Sequence, residues 1–153
     1  MSETAKLLVL VHPGSCCGSA NFNLGRTEGM NARVNLEEEL MEWSGDLLIV
    51  HSDLSDEISL YRDFDRAIQN AKSKANVVKE IVDWDESSSG MGAATRSWLS
   101  KKSCPWKPGS TDVSLTGAWH HVDEEGGCVN SFRDLFQDMG FDAQILDSAV
   151  VLQ

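Results

Sequence analysis

The chain has 153 residues, 41% of them hydrophobic and 24% charged. That composition predicts one soluble globular domain, able to bury roughly two-thirds of its unfolded surface. With 24 acidic against 13 basic residues the formal charge is −11, and no stripe of Lys and Arg offers the counterion release that nucleic-acid binding requires, which excludes nucleic acid as the main ligand.

No run approaches the ~18 apolar residues of a membrane span. The first residues, MSETAK, carry no basic region followed by a long apolar segment. These features predict no membrane association, no secretory signal and a cytoplasmic protein. Four cysteines (Cys16, Cys17, Cys104, Cys128) in a domain of this size do not form a disulfide framework, so reduced thiols are expected.

In chain order, Lys6–Val11 is a nearly continuous apolar run, the signature of a strand buried on both faces. A Pro/Gly/Ser/Cys-rich loop follows from Pro13 to about Gly29, far longer than the ~2–6 residues usual for such a connection. Ala32, Leu36, Leu40 and Trp43 recur at helical spacing, with Gly45 placed to stop the helix. Asp46–Val50 is a second buried strand. The clearest helix comes next, with Leu60, Phe64, Ala67, Ile68, Ala71 and Ala75 on one face. VVKEIVDW is a third strand, unless that helix runs on through it. A Ser87–Gly90 turn, with Ser as the cap, precedes a short helix carrying Met91, Thr95, Trp98 and Leu99. Val113–Trp119 is the fourth strand. Cys128, Val129, Phe132, Leu135, Phe136 and Met139 define the last helix face, ended by Gly140. Ala143–Leu146 is the fifth strand, with Ala149–Leu152 as an apolar tail piece. This alternation predicts a single α/β domain over residues 1–153, a three-layer sandwich around a mostly parallel, doubly wound sheet of about five strands.

All four histidines fall at strand ends in this reading: His12 after LLVLV, His51 closing DLLIVH, His120 and His121 after LTGAW. In a parallel sheet the carboxyl ends lie along one edge, where α/β folds bind ligands. His12 and His121 are therefore candidate catalytic acid–base groups, neutral imidazoles being suited to proton transfer near neutral pH. Together with Asp53, Asp83, Asp85 or Asp123 they could instead ligate a transition metal, but no HxH, HExxH or CxxC spacing occurs, and no metal is assigned. The plainer alternative is polar residues finishing strands.

The loop HPGSCCGSANFNLGR offers Gly14, Ser15 and Gly18 to bring backbone N–H groups close to a small polar or anionic ligand, with Arg26 as counter-charge. It matches neither GxGxxG nor GxxxxGK[ST], so no particular cofactor follows. A surface loop with no ligand is the alternative. Cys16 and Cys17 are adjacent loop residues, and Cys104 before Pro105 is a loop or packing residue. Cys128 follows Gly126-Gly127 and opens a helix, where the positive end of the macrodipole favours a thiolate nucleophile. A small apolar residue opening the Val129/Phe132 face is the competing reading. The one dense basic stretch is Lys101-Lys102 with Lys107.

The run LTGAW, followed by GCVNSFRDLFQDMGFDAQILDSAV, resembles the C-terminal part of the isochorismatase-like cysteine hydrolases. The resemblance covers roughly the last quarter of the chain. It implies a doubly wound fold and matches Cys128 to the family nucleophile, with Gly140, Phe141 and Asp147 at the helix-to-strand features. Elsewhere the chain departs from the pattern. His12-Pro13 stands where the family has its catalytic Asp, and the third strand ends in Asp83-Trp84-Asp85 rather than in Lys. Two functions remain open from sequence: a hydrolase-like or enzyme-derived domain with a small-molecule pocket at the sheet edge, and a non-catalytic ligand-binding or homodimeric module.

Overall fold

Strand β1 (Ala5–Val11) is buried from Leu7 to Val11 because it lies in the middle of the sheet with helices on both faces. The structure, a computed structural model, describes residues 5–11, 26–51, 62–83, 92–120 and 128–152. Within these residues the chain runs β1, α1 (Arg26–Glu42), β2 (Asp46–His51), α2 (Arg62–Lys74), β3 (Val78–Val82), α3 (Ala93–Leu99), β4 (Thr111–His120), α4 (Cys128–Asp138) and β5 (Asp142–Leu152). The five strands form one sheet in the order β3-β2-β1-β4-β5. Every neighbouring pair is parallel. This is the α/β sandwich anticipated from the alternation of elements.

Side chains alternate across the pleat, so each strand feeds two layers. Leu8, Leu10, Leu47 and Ile49 face Leu36 and Leu40 of α1 and Ala67, Ile68 and Ala71 of α2. Leu7, Val9, Val11, Leu48, Val50, Val113 and Leu115 face Leu99 of α3 and Val129, Phe132, Leu135 and Phe136 of α4. Each such aliphatic side chain contributes about 1.5–3 kcal/mol by leaving water. Trp106, from the connection after α3, is wholly buried in the second layer and meets Trp98 edge-on, ring centroids 6.3 Å apart.

Local chemistry fixes the element ends. Helix α4 closes with Gly140 at φ 95°; Phe141 N–H donates to Phe136 C=O (2.9 Å) and Gly140 N–H to Gln137 C=O (3.0 Å). The Phe136 and Phe141 rings pack edge-on over this turn, the apolar contact that accompanies such a Schellman cap. At the amino end of β2, Asp46 is a hub. Its carboxylate accepts from Val77 N–H (3.1 Å) and from the Trp106 indole N–H (2.9 Å), and its carbonyl from Trp43 Nε1 (2.9 Å).

The third strand expected in VVKEIVDW is present as β3, and helix α2 stops before it at Lys74. Three boundaries differ from the sequence reading. Helix α1 begins at Arg26, so Arg26 belongs to the helix and not to the loop; the turn extends back through residues that carry no apolar periodicity. The position preceding α3 is Gly92 at φ 106° rather than a serine. Finally, β5 is one strand, not a strand and a tail, because it pairs with β4 on both sides of an irregularity between Ile145 and Val150. No helix among the described residues is long and apolar enough to cross a membrane.

Candidate functional site

Because all five strands are parallel, their carboxyl ends share one edge, and the helices that follow them start there. The strand order reverses between β1 and β4, since β2 and β3 lie on one side of β1 and β4 and β5 on the other. Such a reversal opens a crevice outside the strand termini. β1 stops at Val11, one residue before His12; β4 stops at His120, one residue before His121. His51 is the last residue of β2. The register pairs Val11 with Val50 and with Gly117, so His51 stands one residue beyond the level of Val11 and β4 extends three residues beyond it.

His12 and His121 themselves lie outside the described residues, as do Gly14, Ser15 and Gly18 and the aspartates Asp53, Asp85 and Asp123. Arg26 is the first residue of α1 and Cys128 the first of α4, both at helix ends that adjoin this edge. Val129 and Asn130, directly after Cys128, are buried.

Gly117 lies at the carboxyl end of the β1–β4 pairing. It sits at φ 116° opposite Val11, and a Cβ there would lie 2.1 Å from the Val11 carbonyl oxygen. Only glycine permits β4 to approach β1 so closely, and the β4–β5 ladder shifts register on either side of it. The sequence reading passed over Gly117. A glycine inside an apolar strand is the signal that marks such a bulge.

His51 is buried, and its Nε2 hydrogen-bonds Glu80 Oε1 at 3.2 Å. Lys72 of α2 holds the other oxygen of Glu80, also at 3.2 Å. Burial alone would raise the Glu80 carboxyl; the hydrogen bonds from His51 and Lys72, aided by their charge, outweigh it and hold the group below its ordinary value. A carboxylate acceptor on Nε2 places the imidazole proton there and orients the ring. Neither Glu80 nor Lys72 stood out from the sequence, because their meeting depends on the β2–β3 register and on α2 crossing above it.

Asp83, one residue past β3, is not a metal ligand in waiting. Its Oδ1 accepts from Gly92 N–H (2.9 Å), and its Oδ2 from Thr95 N–H (2.8 Å) and the Thr95 hydroxyl. The buried carboxylate thus caps α3 from nine residues upstream, opposite the positive end of the helix. Its own N–H donates to the His51 carbonyl (2.9 Å), tying the ends of β2 and β3 together. Among the described residues no three His, Cys, Asp or Glu side chains gather as a metal site. Cys104 is buried, with Sγ 3.6 Å from the Trp106 carbonyl oxygen, in the packing role expected of it.

Compared with protein-family models, with curated proteins and with solved structures, the chain matches none.

Proposed function

We propose that this protein binds a small polar or anionic molecule at the carboxyl edge between β1 and β4 and acts on it as a hydrolase-like enzyme. The observation that supports the reading is the reversal of strand order between β1 and β4 in an all-parallel sheet, the place where α/β folds hold ligands, with β1 ending at Val11, β4 at His120 and α4 beginning at Cys128. In this reading the Cys128 thiolate, favoured at the start of α4, adds to a carbonyl carbon of the substrate. The bond to the leaving group breaks with a proton supplied by His12 or His121, and water hydrolyses the thioester. Gly14, Ser15, Gly18 and Arg26 would hold the anionic part of the substrate. The likeness of the last quarter of the chain to isochorismatase-like hydrolases supports Cys128 as nucleophile.

The test is turnover of a panel of small amides and esters by the whole chain, followed by C128S and H12A. Loss of turnover in both variants, with folding retained, supports the reading. An intact protein that turns over none of the panel and gains no thermal stability from any member overturns it.

A second reading, a non-catalytic homodimeric module, draws on Val34 and Met41. These side chains are exposed on α1, and their seven-residue spacing puts them on the same helix face. Sedimentation of wild type and of V34E/M41E separates the two. A dimer that the double variant dissociates favours the module, and a monomeric wild type removes it.

A further inference from the structure

Several cations of this acidic chain have partners among the described residues. Lys72, Arg96 and Arg133 each take a carboxylate, and Lys74 takes the Met41 carbonyl. Lys79 and Lys101 differ. Lys79 comes from the edge strand β3 and Lys101 from just after α3, yet both ammonium groups lie on the same indole, 4.5 Å and 5.7 Å from the centroid of Trp98. Both lie inside the ~6 Å at which a cation–π contact holds. Neither has a carboxylate partner among the described residues. Lys107 adds a third positive charge, its Nζ on the Lys101 carbonyl at 3.1 Å.

The indole beneath them is itself packed in place. Trp98 packs edge-on against Trp106, whose indole N–H is fixed by Asp46. Beside the ring a groove of about 260 Å3 runs between β3 and α3, lined by Lys79, Glu80, Ile81, Ala94, Ser97 and Lys101. The acid in this lining, Glu80, already serves His51 and Lys72. The Trp98 Nε1–H is buried with no acceptor among the described residues.

We infer that this groove is an oxyanion site in which Lys79 and Lys101 take a small multivalent oxyanion such as a diphosphate, with the Ser97 hydroxyl as a further donor. Both lysines line this groove, and neither has to leave a carboxylate among the described residues to bind an anion there. The site lies between β3 and α3, apart from the β1/β4 crevice, and does not depend on the reading of that crevice. Binding rests on a few exposed charges, so it is weak and falls steeply with salt.

The experiment is a titration of the full, 15N-labelled chain with inorganic pyrophosphate at low ionic strength, balanced at every point with sodium chloride. The Trp98 indole N–H, shielded from solvent, and the backbone amides of Lys79, Ser97 and Lys101 serve as reporters. The expected result is a saturable shift centred on these groups. K79Q/K101Q should raise the midpoint by about tenfold or more, as expected when two unit charges at contact distance are removed, while K74Q leaves it unchanged. Thermal melts of both variants confirm that the fold persists. Shifts that never saturate, that spread equally over other lysines, or that survive in K79Q/K101Q would overturn the site.

Discussion

His51, at the end of β2, gives its Nε2 to Glu80 of β3, and the same carboxylate is held from above by Lys72 of α2. A strand end, an edge strand and a helix are therefore joined at one side chain. Because Glu80 is held below its ordinary value near 4.5, it adds stability that is fully present above that pH and is lost as pH falls through its lower value in the folded protein. Glu80→Gln should therefore lower stability at pH 7 and differ less from wild type at pH 3. Glu80 is well exposed, so the gap at pH 7 should not exceed about 1 kcal/mol. Denaturant midpoints at the two pH values measure it. A gap that grows on acidification would contradict the sign.

Asp83 completes the first turn of α3 with three hydrogen bonds from a buried position. Asp83→Ala leaves Gly92 N–H, Thr95 N–H and the Thr95 hydroxyl without that acceptor. The expected loss is about 2–4 kcal/mol, the range of a lost cap combined with buried donors left unpaired. Asp83→Asn keeps one acceptor oxygen and should fall between the two. Urea midpoints of the three proteins test the order.

A methyl group at residue 117 would press on the Val11 carbonyl in a backbone conformation that L residues rarely adopt. Gly117→Ala should cost more than about 2 kcal/mol, since backbone strain alone is of order 1–3. The damage should concentrate where β1 and β4 part. Hydrogen exchange at Val11 and its β4 neighbours should accelerate more than at the β2–β3 pairing, and uniform acceleration would assign the cost to global unfolding alone.

Asp46→Ala removes the acceptor of both Val77 N–H and the Trp106 indole. Two partly buried donors left unpaired are worth about 2–4 kcal/mol. In a domain of this size each kcal/mol lowers Tm by roughly 2–4 °C. Differential scanning calorimetry should therefore show a fall of roughly 5–15 °C. A shift of only a degree or two would mean that water replaces the carboxylate.

The layered architecture was legible because its signals are local. LLVLV and LLIV are apolar at consecutive positions, as central strands between two helical layers must be. The face of Ala67, Ile68 and Ala71 repeats at helical spacing. Histidines at strand ends were legible for the same reason, since His51 and His120 do end their strands. The partners that fix these elements were not. The cap of α3 comes from Asp83 across nine residues rather than from a neighbouring serine, and no local rule reaches that far. Glu80 meets His51 through strand register, and Lys79 of β3 meets Lys101 on Trp98 of α3, a contact between two elements that neither segment's own pattern reveals. The two pieces expected for β5 are one strand because pairing with β4 resumes after a bulge. That is a property of the sheet and not of the segment.

The direct test of the ligand edge is the pH dependence of alkylation at Cys128, read by mass spectrometry with buried Cys104 as the unreactive internal reference. A thiol activated at the start of α4 should react with iodoacetamide with a midpoint clearly below the ordinary ~8.5. It should also be protected by any small amide or ester that the protein turns over. Reactivity no greater than that of Cys104, or a midpoint at or above ~8.5, would contradict a nucleophile at this edge and leave Cys128 as a packing residue at the start of a helix.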